Sequence, residues 1–277
     1  MNSSAGTTLV NGQPSESISV HDRGFQFGDG LFETLAVSHG TPLLWEKHMQ
    51  RLWHGAKRLG ITTPSERLLW DESKQLCHAA ERGVLKIILT RGISHRGYAP
   101  VAEASPTRTV SLSAWPDYPA QHRDHGVTVQ FCRTMIARNR DLAGLKHLNR
   151  LEQVLARAEL SKDCAEGLLL DEQGNAIEGT MTNVFTVSQG ILATPDLSHG
   201  GVAGVMRGLV LERAAAISIS CQVLTLKQQD ILNAEEVFLT NSLIGLWPVC
   251  RIDSRKFPVG RITQRIQEAI RDACCAD

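Results

Sequence analysis

The stretch AWPDYPAQHRDHG, residues 114–126, is polar, holds two prolines and has no periodicity, while strand- and helix-like patterns run on both sides of it. A break of this kind divides a 277-residue chain into two cores of ordinary domain size. The expected organisation is a smaller N-terminal α+β domain over residues 1–116, a linker over 117–125 and a larger C-terminal domain over 126–277.

In the first part, LVNGQP carries an Asn-Gly turn, and LFETLAVSHGTPLLW reads as a hairpin around Ser38-His39-Gly40. Trp45, Met49, Leu52, Ala56 and Leu59 are spaced 4, 3, 4 and 3, one face of a helix that Gly60 ends. SERLLWDESKQLCHAAER reads as a second helix, and VLKIILTRG and TVSLSAWP as strands. In the second part VTVQFC is a strand, and RTMIARNRDLAG is irregular. EGLLLDEQGNAIEGTMTNVFTVSQGILATP reads as three strands with turns at Gln173-Gly174-Asn175 and Gln189-Gly190. The helix GVMRGLVLERAAAI follows a glycine-rich loop; the strand EVFLTN, a hairpin and a last helix close the chain. The fold class is α+β, its first domain built of mostly antiparallel strands.

Charge narrows the partners. The 29 acidic and 29 basic residues cancel, and no long basic run appears, which disfavours nucleic acid and anionic membranes. No apolar stretch reaches the ~20 residues a membrane span needs. The stretch MNSSAGTTLVNGQPSES has neither the basic nor the apolar region of a signal peptide. Seven cysteines without a C-x-x-C pair read as reduced thiols of a cytoplasmic protein.

Within LAGLKHLNRLEQVLARAEL, residues 142–160, Lys146 stands out in a chain with eight lysines against twenty-one arginines. Leu148, Leu151, Leu155 and Ala158 form an apolar helical stripe after it, with Arg150, Gln153 and Arg157 elsewhere around the helix and Asn149 as N-cap. Lys146 then lies just before the helix at the edge of a core. Partial desolvation favours the neutral amine that attacks an aldehyde. The plain alternative is a lysine snorkelling out of a strand end.

A pyridoxal phosphate site asks for more: a partner for the pyridine nitrogen, donors for the phosphate, and walls for the ring. Glu178, at a strand end in AIEGTMTNVF, offers a carboxylate. HGGVAGVMRG opens a helix whose first-turn N–H groups, on Val205 and Met206, suit a phosphate. Arg51 in KHMQRLW has the planar fork for the same anion, and Asn241 and Ser242 end the apolar strand VFLT. Taken singly, Glu178 and Arg51 also read as ordinary surface residues.

Together these segments resemble the fold-type IV pyridoxal-phosphate enzymes, which include branched-chain aminotransferases, D-amino acid aminotransferases and aminodeoxychorismate lyases. FQFGDGLFETL, HMQRL, EGTMTNVF, GVMR and FLTNSLIGLWPV come in the family order over nearly the whole chain. GLKHLNRLEQVLARAE and TRGISHRGYAP resemble the lyase branch; the aminotransferases usually place Ser-Leu-Asn or a Ser-Ala-Asn-Tyr run after the lysine. The resemblance implies a two-domain, D-amino acid aminotransferase-like fold with the cofactor between the domains. It implies Lys146 as the Schiff-base lysine and Glu178 as the ring-nitrogen partner. It gives the phosphate to Arg51, Val205, Met206, Asn241 and Ser242. Met206 replaces a threonine common in relatives, and Asn241-Ser242 replaces Gly-Thr.

The implied reaction takes the small molecule 4-amino-4-deoxychorismate to 4-aminobenzoate and pyruvate, a step of folate biosynthesis, in a homodimer. Arg91, Arg96, Arg138 and Arg140 are the candidates for the two substrate carboxylates. Lys146 itself, Thr34 and Tyr98 are the candidate proton donors. The competing readings are an aminotransferase of the same fold and, more remotely, a non-catalytic homologue.

Overall fold

The computed structural model describes residues 8–94, 96–100 and 104–274. The stretch through residue 7, His95 and Cys275 lie outside the described residues. Two compact units divide the chain: the residues up to Pro116 with Leu145–Asn149, and Asp117–Gly144 with the residues from Arg150 onward.

The first unit holds strands β1 (Thr8–Val10) and β2 (Gln13–Pro14), helix α1 (Arg23–Phe27), strands β3 (Gly30–Ser38) and β4 (Thr41–Pro42), helices α2 (Trp45–Leu59) and α3 (Glu66–Cys77), and strands β5 (Arg82–Thr90) and β6 (Thr107–Ser113). The strands form one antiparallel sheet in the order β2-β1-β6-β5-β3-β4. Both expected hairpins form. Asn11 and Gly12 turn one, His39 and Gly40 the other, and all four have positive φ as two-residue turns of this hand require. Met49, Leu52 and Ala56 of α2 are buried, and Gly60 ends the helix at φ 63°. Their core also takes Leu31, Leu35, Leu69, Leu85, Ile87 and Leu145. Leu145–Asn149 runs antiparallel to the start of β3: the Phe32 N–H donates to the Lys146 carbonyl at 2.9 Å and the Leu148 N–H to the Gly30 carbonyl at 3.0 Å.

The second unit opens with α4 (Gln121–His125), in the stretch expected to be a bare linker. There Tyr118 and His122 pack edge-on against Trp247. It continues with β7 (Val127–Phe131), α5 (Leu151–Ala158), β8 (Glu166–Leu170), β9 (Ala176–Gly179), β10 (Asn183–Ser188), β11 (Ile191–Pro195), α6 (Val205–Ala216), β12 (Cys221–Leu224), α7 (Gln228–Asn233), β13 (Glu236–Asn241), β14 (Gly245–Ile252), β15 (Arg255–Lys256) and α8 (Arg261–Ala269). The main sheet runs β12-β11-β10-β13-β14-β7-β8-β9, with β15 paired to β14. Pairs β7–β14, β7–β8 and β11–β12 are parallel.

Two expectations about this unit fail for tertiary reasons. The run expected as three strands makes four. It breaks at residues 180–182 because the buried Glu166 carboxylate collects the N–H groups of Thr180 and Met181 and the hydroxyls of Thr180 and Thr182. The helix after the lysine starts later and faces the other way. Arg150, not Asn149, is its N-cap, and the Asn149 amide donates instead to the Gly28 carbonyl. Leu151 and Leu155 are 69% and 53% exposed, while Ala156 is buried beside Leu169 and Ile177, with Leu160 packed against them.

Candidate active site

In the first unit, Lys146 is half-buried at the edge of β3, anchored by its own carbonyl. Its Nζ lies 4.3 Å from the centroid of the Phe32 ring. A favourable ammonium–ring contact is thereby available at the strand end. Thr34 lies two residues further along β3 and so on the same face as Phe32.

Arg51, on α2, lays its guanidinium along the Glu33 carboxylate. Nε donates to Oε1 at 2.8 Å and Nη2 to Oε2, a fork that fixes the plane of the arginine. His48 also meets Glu33 Oε2, through Nδ1 at 2.7 Å, and both side chains are buried. Burial by itself would raise the Glu33 pKa, but the charge and hydrogen bonds of Arg51 and the His48 bond outweigh it and hold the group at about 2. Burial pushes His48 down despite Glu33. The His48–Glu33 contact is therefore a neutral imidazole N–H donating to a carboxylate, while Arg51–Glu33 is the ion pair.

In the second unit, Glu178 on β9 is 4% exposed. The Val202 N–H donates to its Oε2 at 2.8 Å and Gln153 Nε2 to its Oε1 at 3.3 Å. Gly201 precedes this donor at φ 78°, where a Cβ would lie 2.7 Å from Ile177 Cγ2, so the loop needs glycine there. Three residues on, Gly204 caps α6, and no side chain caps the helix. A Cβ on Gly204 would meet Asn183 Oδ1 at 2.0 Å. The opening of this twelve-residue helix thus presents the N–H groups of Val205 and Met206 without a capping side chain in competition. One glycine-rich loop orients both a buried carboxylate and the uncapped start of α6.

The remaining expected residues divide sharply. Arg91 is committed to the first unit's frame: Nε and Nη2 hold Asp29 at 2.8 and 3.1 Å, and Nη1 and Nη2 bond the carbonyls of Gly60 and Leu59 at 2.7 Å each. Arg138 is likewise paired with buried Asp171 at 2.6 Å. Each is tied to a carboxylate of its own unit. Arg140 and Arg96 are exposed, Arg140 bonding His199 Nε2 at 3.0 Å. Tyr98 is 82% exposed against Phe27, and its carbonyl accepts from Arg23. The Asn241 carboxamide turns inward. Its Oδ1 accepts from Leu243 and Ile244 and its Nδ2 donates to the Met181 carbonyl, so the side chain serves its own turn beside half-buried Ser242.

Two residues escaped the sequence reading. Lys86, cross-strand partner of Thr34, places Nζ 5.3 Å from the Phe32 centroid, the ring that Lys146 also approaches. Its signal was a lone charge inside the apolar run VLKIIL. Gln153 was placed off the apolar stripe of its helix, yet it reaches Glu178.

No helix among the described residues is long and apolar enough to cross a membrane. The amino-transferase class IV family matches residues 30–252. Aminodeoxychorismate lyase of Vibrio harveyi is 37% identical, over 93% of this chain and 97% of that protein. The crystal structure of 4-amino-4-deoxychorismate lyase from Pseudomonas aeruginosa is 48% identical, with a TM-score of 0.92 over 96% of this chain and 98% of that one. D-alanine aminotransferase of Bacillus licheniformis is 27% identical over 97% of each chain.

Proposed function

The chain belongs to the amino-transferase class IV family, and from that premise we propose that it is a pyridoxal-phosphate-dependent lyase converting 4-amino-4-deoxychorismate to 4-aminobenzoate and pyruvate. The observation that carries the choice of lyase is whole-length similarity to two such lyases, at 37% and 48% identity, against 27% for the D-alanine aminotransferase. The residue pattern GLKHLNRLEQVL after the lysine supports the same branch.

The donor set fits the cofactor. The uncapped start of α6 and the guanidinium of Arg51, its plane fixed by Glu33, suit a phosphate, and Glu178 is a buried carboxylate held by the N–H groups of Val202 and Gln153. When bound, pyridoxal phosphate supplies an aldehyde that condenses with amines and a ring that accepts an electron pair. Lys146 Nζ would be the amine that holds the cofactor's aldehyde and the base that takes the proton from the substrate carbon bearing nitrogen. Glu178 would be the partner of the ring nitrogen. Arg51, braced by Glu33, and the N–H groups of Val205 and Met206 would hold the phosphate, with Asn241 and Ser242 as further candidates. Loss of the enolpyruvyl group leaves an aromatic ring, so the reaction needs no keto acid. Lys86 and the exposed Arg96 and Arg140 are the cations we assign to the substrate carboxylates, and Lys146, Thr34 and Tyr98 remain the proton-donor candidates.

We read the protein as a cytoplasmic homodimer. The six described cysteines are free thiols, and Leu151, Val154 and Leu155 expose an apolar face on α5 suited to a second copy. The test of function is turnover of aminodeoxychorismate with no keto acid present. An aminotransferase needs a keto acid to complete its cycle and would stall.

A further inference from the structure

The inward face of α5 runs through Gln153 and Ala156, with Leu160 packed just beyond the helix end, rather than through Leu151 and Leu155. A glutamine in such a stripe needs a reason. Its Nε2 donates to Glu178 Oε1, opposite the Val202 N–H on Oε2, so the two carboxylate oxygens are held from two sides. Its own Oε1 is buried and without a hydrogen-bond partner. Turning the amide over would set that oxygen against the Glu178 carboxylate, an acceptor against an acceptor. The side chain thus forgoes a bond of its own to keep a donor on Glu178, and orphaned buried polar atoms in native proteins call for an explanation of this kind.

We infer that Gln153 is a positioning residue for Glu178: its amide N–H fixes the carboxylate and stabilises it as an anion, so that Glu178 holds the ring-nitrogen proton of the bound cofactor without taking it. The inference rests on the assignment of Glu178 made above. A carboxylate is less basic the more hydrogen-bond donors it accepts from. Losing the Gln153 donor makes Glu178 more basic and draws the shared proton from the ring nitrogen. A ring without that proton is a weaker electron acceptor, so the loss falls on turnover rather than on substrate binding.

The test uses the full-length protein loaded with pyridoxal phosphate labelled with nitrogen-15 in the ring. The ring-nitrogen NMR shift reports directly whether that atom is protonated. Gln153→Met removes the donor at similar volume. Gln153→Leu removes the donor with a smaller apolar side chain and decides the matter if the methionine variant does not fold. The expected result is a ring-nitrogen signal moved toward the unprotonated value. With it go a kcat lower by about tenfold, the size expected from one charge-assisted hydrogen bond, and a KM within about twofold. The cofactor-free unfolding midpoint stays near that of the wild type. An unchanged signal with kcat within about twofold of wild type overturns the role of Gln153. If the wild-type signal fails to respond to Glu178→Ala, the assignment of Glu178 itself is wrong, and the inference falls with it.

Discussion

Arg51 and Glu33 are joined through both carboxylate oxygens, Nε to Oε1 at 2.8 Å and Nη2 to Oε2, with the Glu33 side chain 1% exposed. A guanidinium held this way cannot swing. It keeps its plane whether or not an anion is present, which is the preorganisation a phosphate site needs. Two residues eighteen apart in sequence, one on a strand and one on a helix, thereby tie the Arg51 guanidinium to the first unit's core.

Glu33→Gln should destabilise the protein by about 3 kcal/mol, because it leaves a largely buried guanidinium without its counter-charge. The cofactor dissociation constant should rise with it, as Arg51 loses its brace. Urea unfolding of the cofactor-free variant and fluorescence titration with pyridoxal phosphate measure the two effects. An unchanged midpoint would show that the pair contributes nothing net.

Stability should fall with acid in two stages. His48 has a folded pKa below its ordinary 6.5, so protonation favours the unfolded chain and stability is lost as pH drops below about 6.5. Glu33 is lowered from 4.5 to about 2, so its contribution is complete above about 4.5 and lost as pH falls toward 2. His48→Gln retains a donor for Glu33 but cannot titrate. It should flatten the fall of the unfolding free energy just below about pH 6.5 and leave the lower stage in place. A wild-type slope in that variant would assign the upper stage to another group.

Gly201→Ala should cost about 2 kcal/mol, from the positive φ and the contact its Cβ makes with Ile177. The same change displaces the Val202 N–H from Glu178, so cofactor affinity should fall even where the variant is folded. Affinity equal to wild type would mean that this N–H is dispensable.

Lys86 and Arg91 should behave oppositely. Lys86→Met is expected to raise KM for the substrate by about tenfold with little change in kcat, the mark of a lost carboxylate contact. Arg91→Ala should lower the melting temperature, since Asp29 keeps only Arg23 of its two arginines and two backbone carbonyls lose a donor, and leave KM of the folded enzyme unchanged. Steady-state kinetics on both variants separates the assignments, and an intact KM in Lys86→Met would remove Lys86 from the site.

The contrast between these two residues shows what the sequence could carry. The hairpin at His39-Gly40, the face of α2 and its end at Gly60 were legible because turn residues and a 3.6-residue period are written within a few neighbouring positions. The family motifs led to Lys146, Glu178 and the opening of α6 for a similar reason, each being a compact local pattern. The partners of Arg91 are not legible in the sequence, because Asp29, Leu59 and Gly60 lie far from it in the chain. The face of α5 was misjudged because Gln153 faces inward toward Glu178, twenty-five residues on, against the apolar pattern of its own helix. Likewise, nothing local marked the break at residues 180–182, which is set by Glu166 from a neighbouring strand.

The most direct measurement gives the purified protein freshly made 4-amino-4-deoxychorismate, with pyridoxal phosphate and no keto acid, and follows both products with time. Equimolar 4-aminobenzoate and pyruvate from the wild type, with neither product nor the visible absorbance of lysine-bound cofactor in Lys146→Ala, is the expected result. A yellow, cofactor-loaded wild type that releases neither product, or a Lys146→Ala variant that turns over normally, would contradict it.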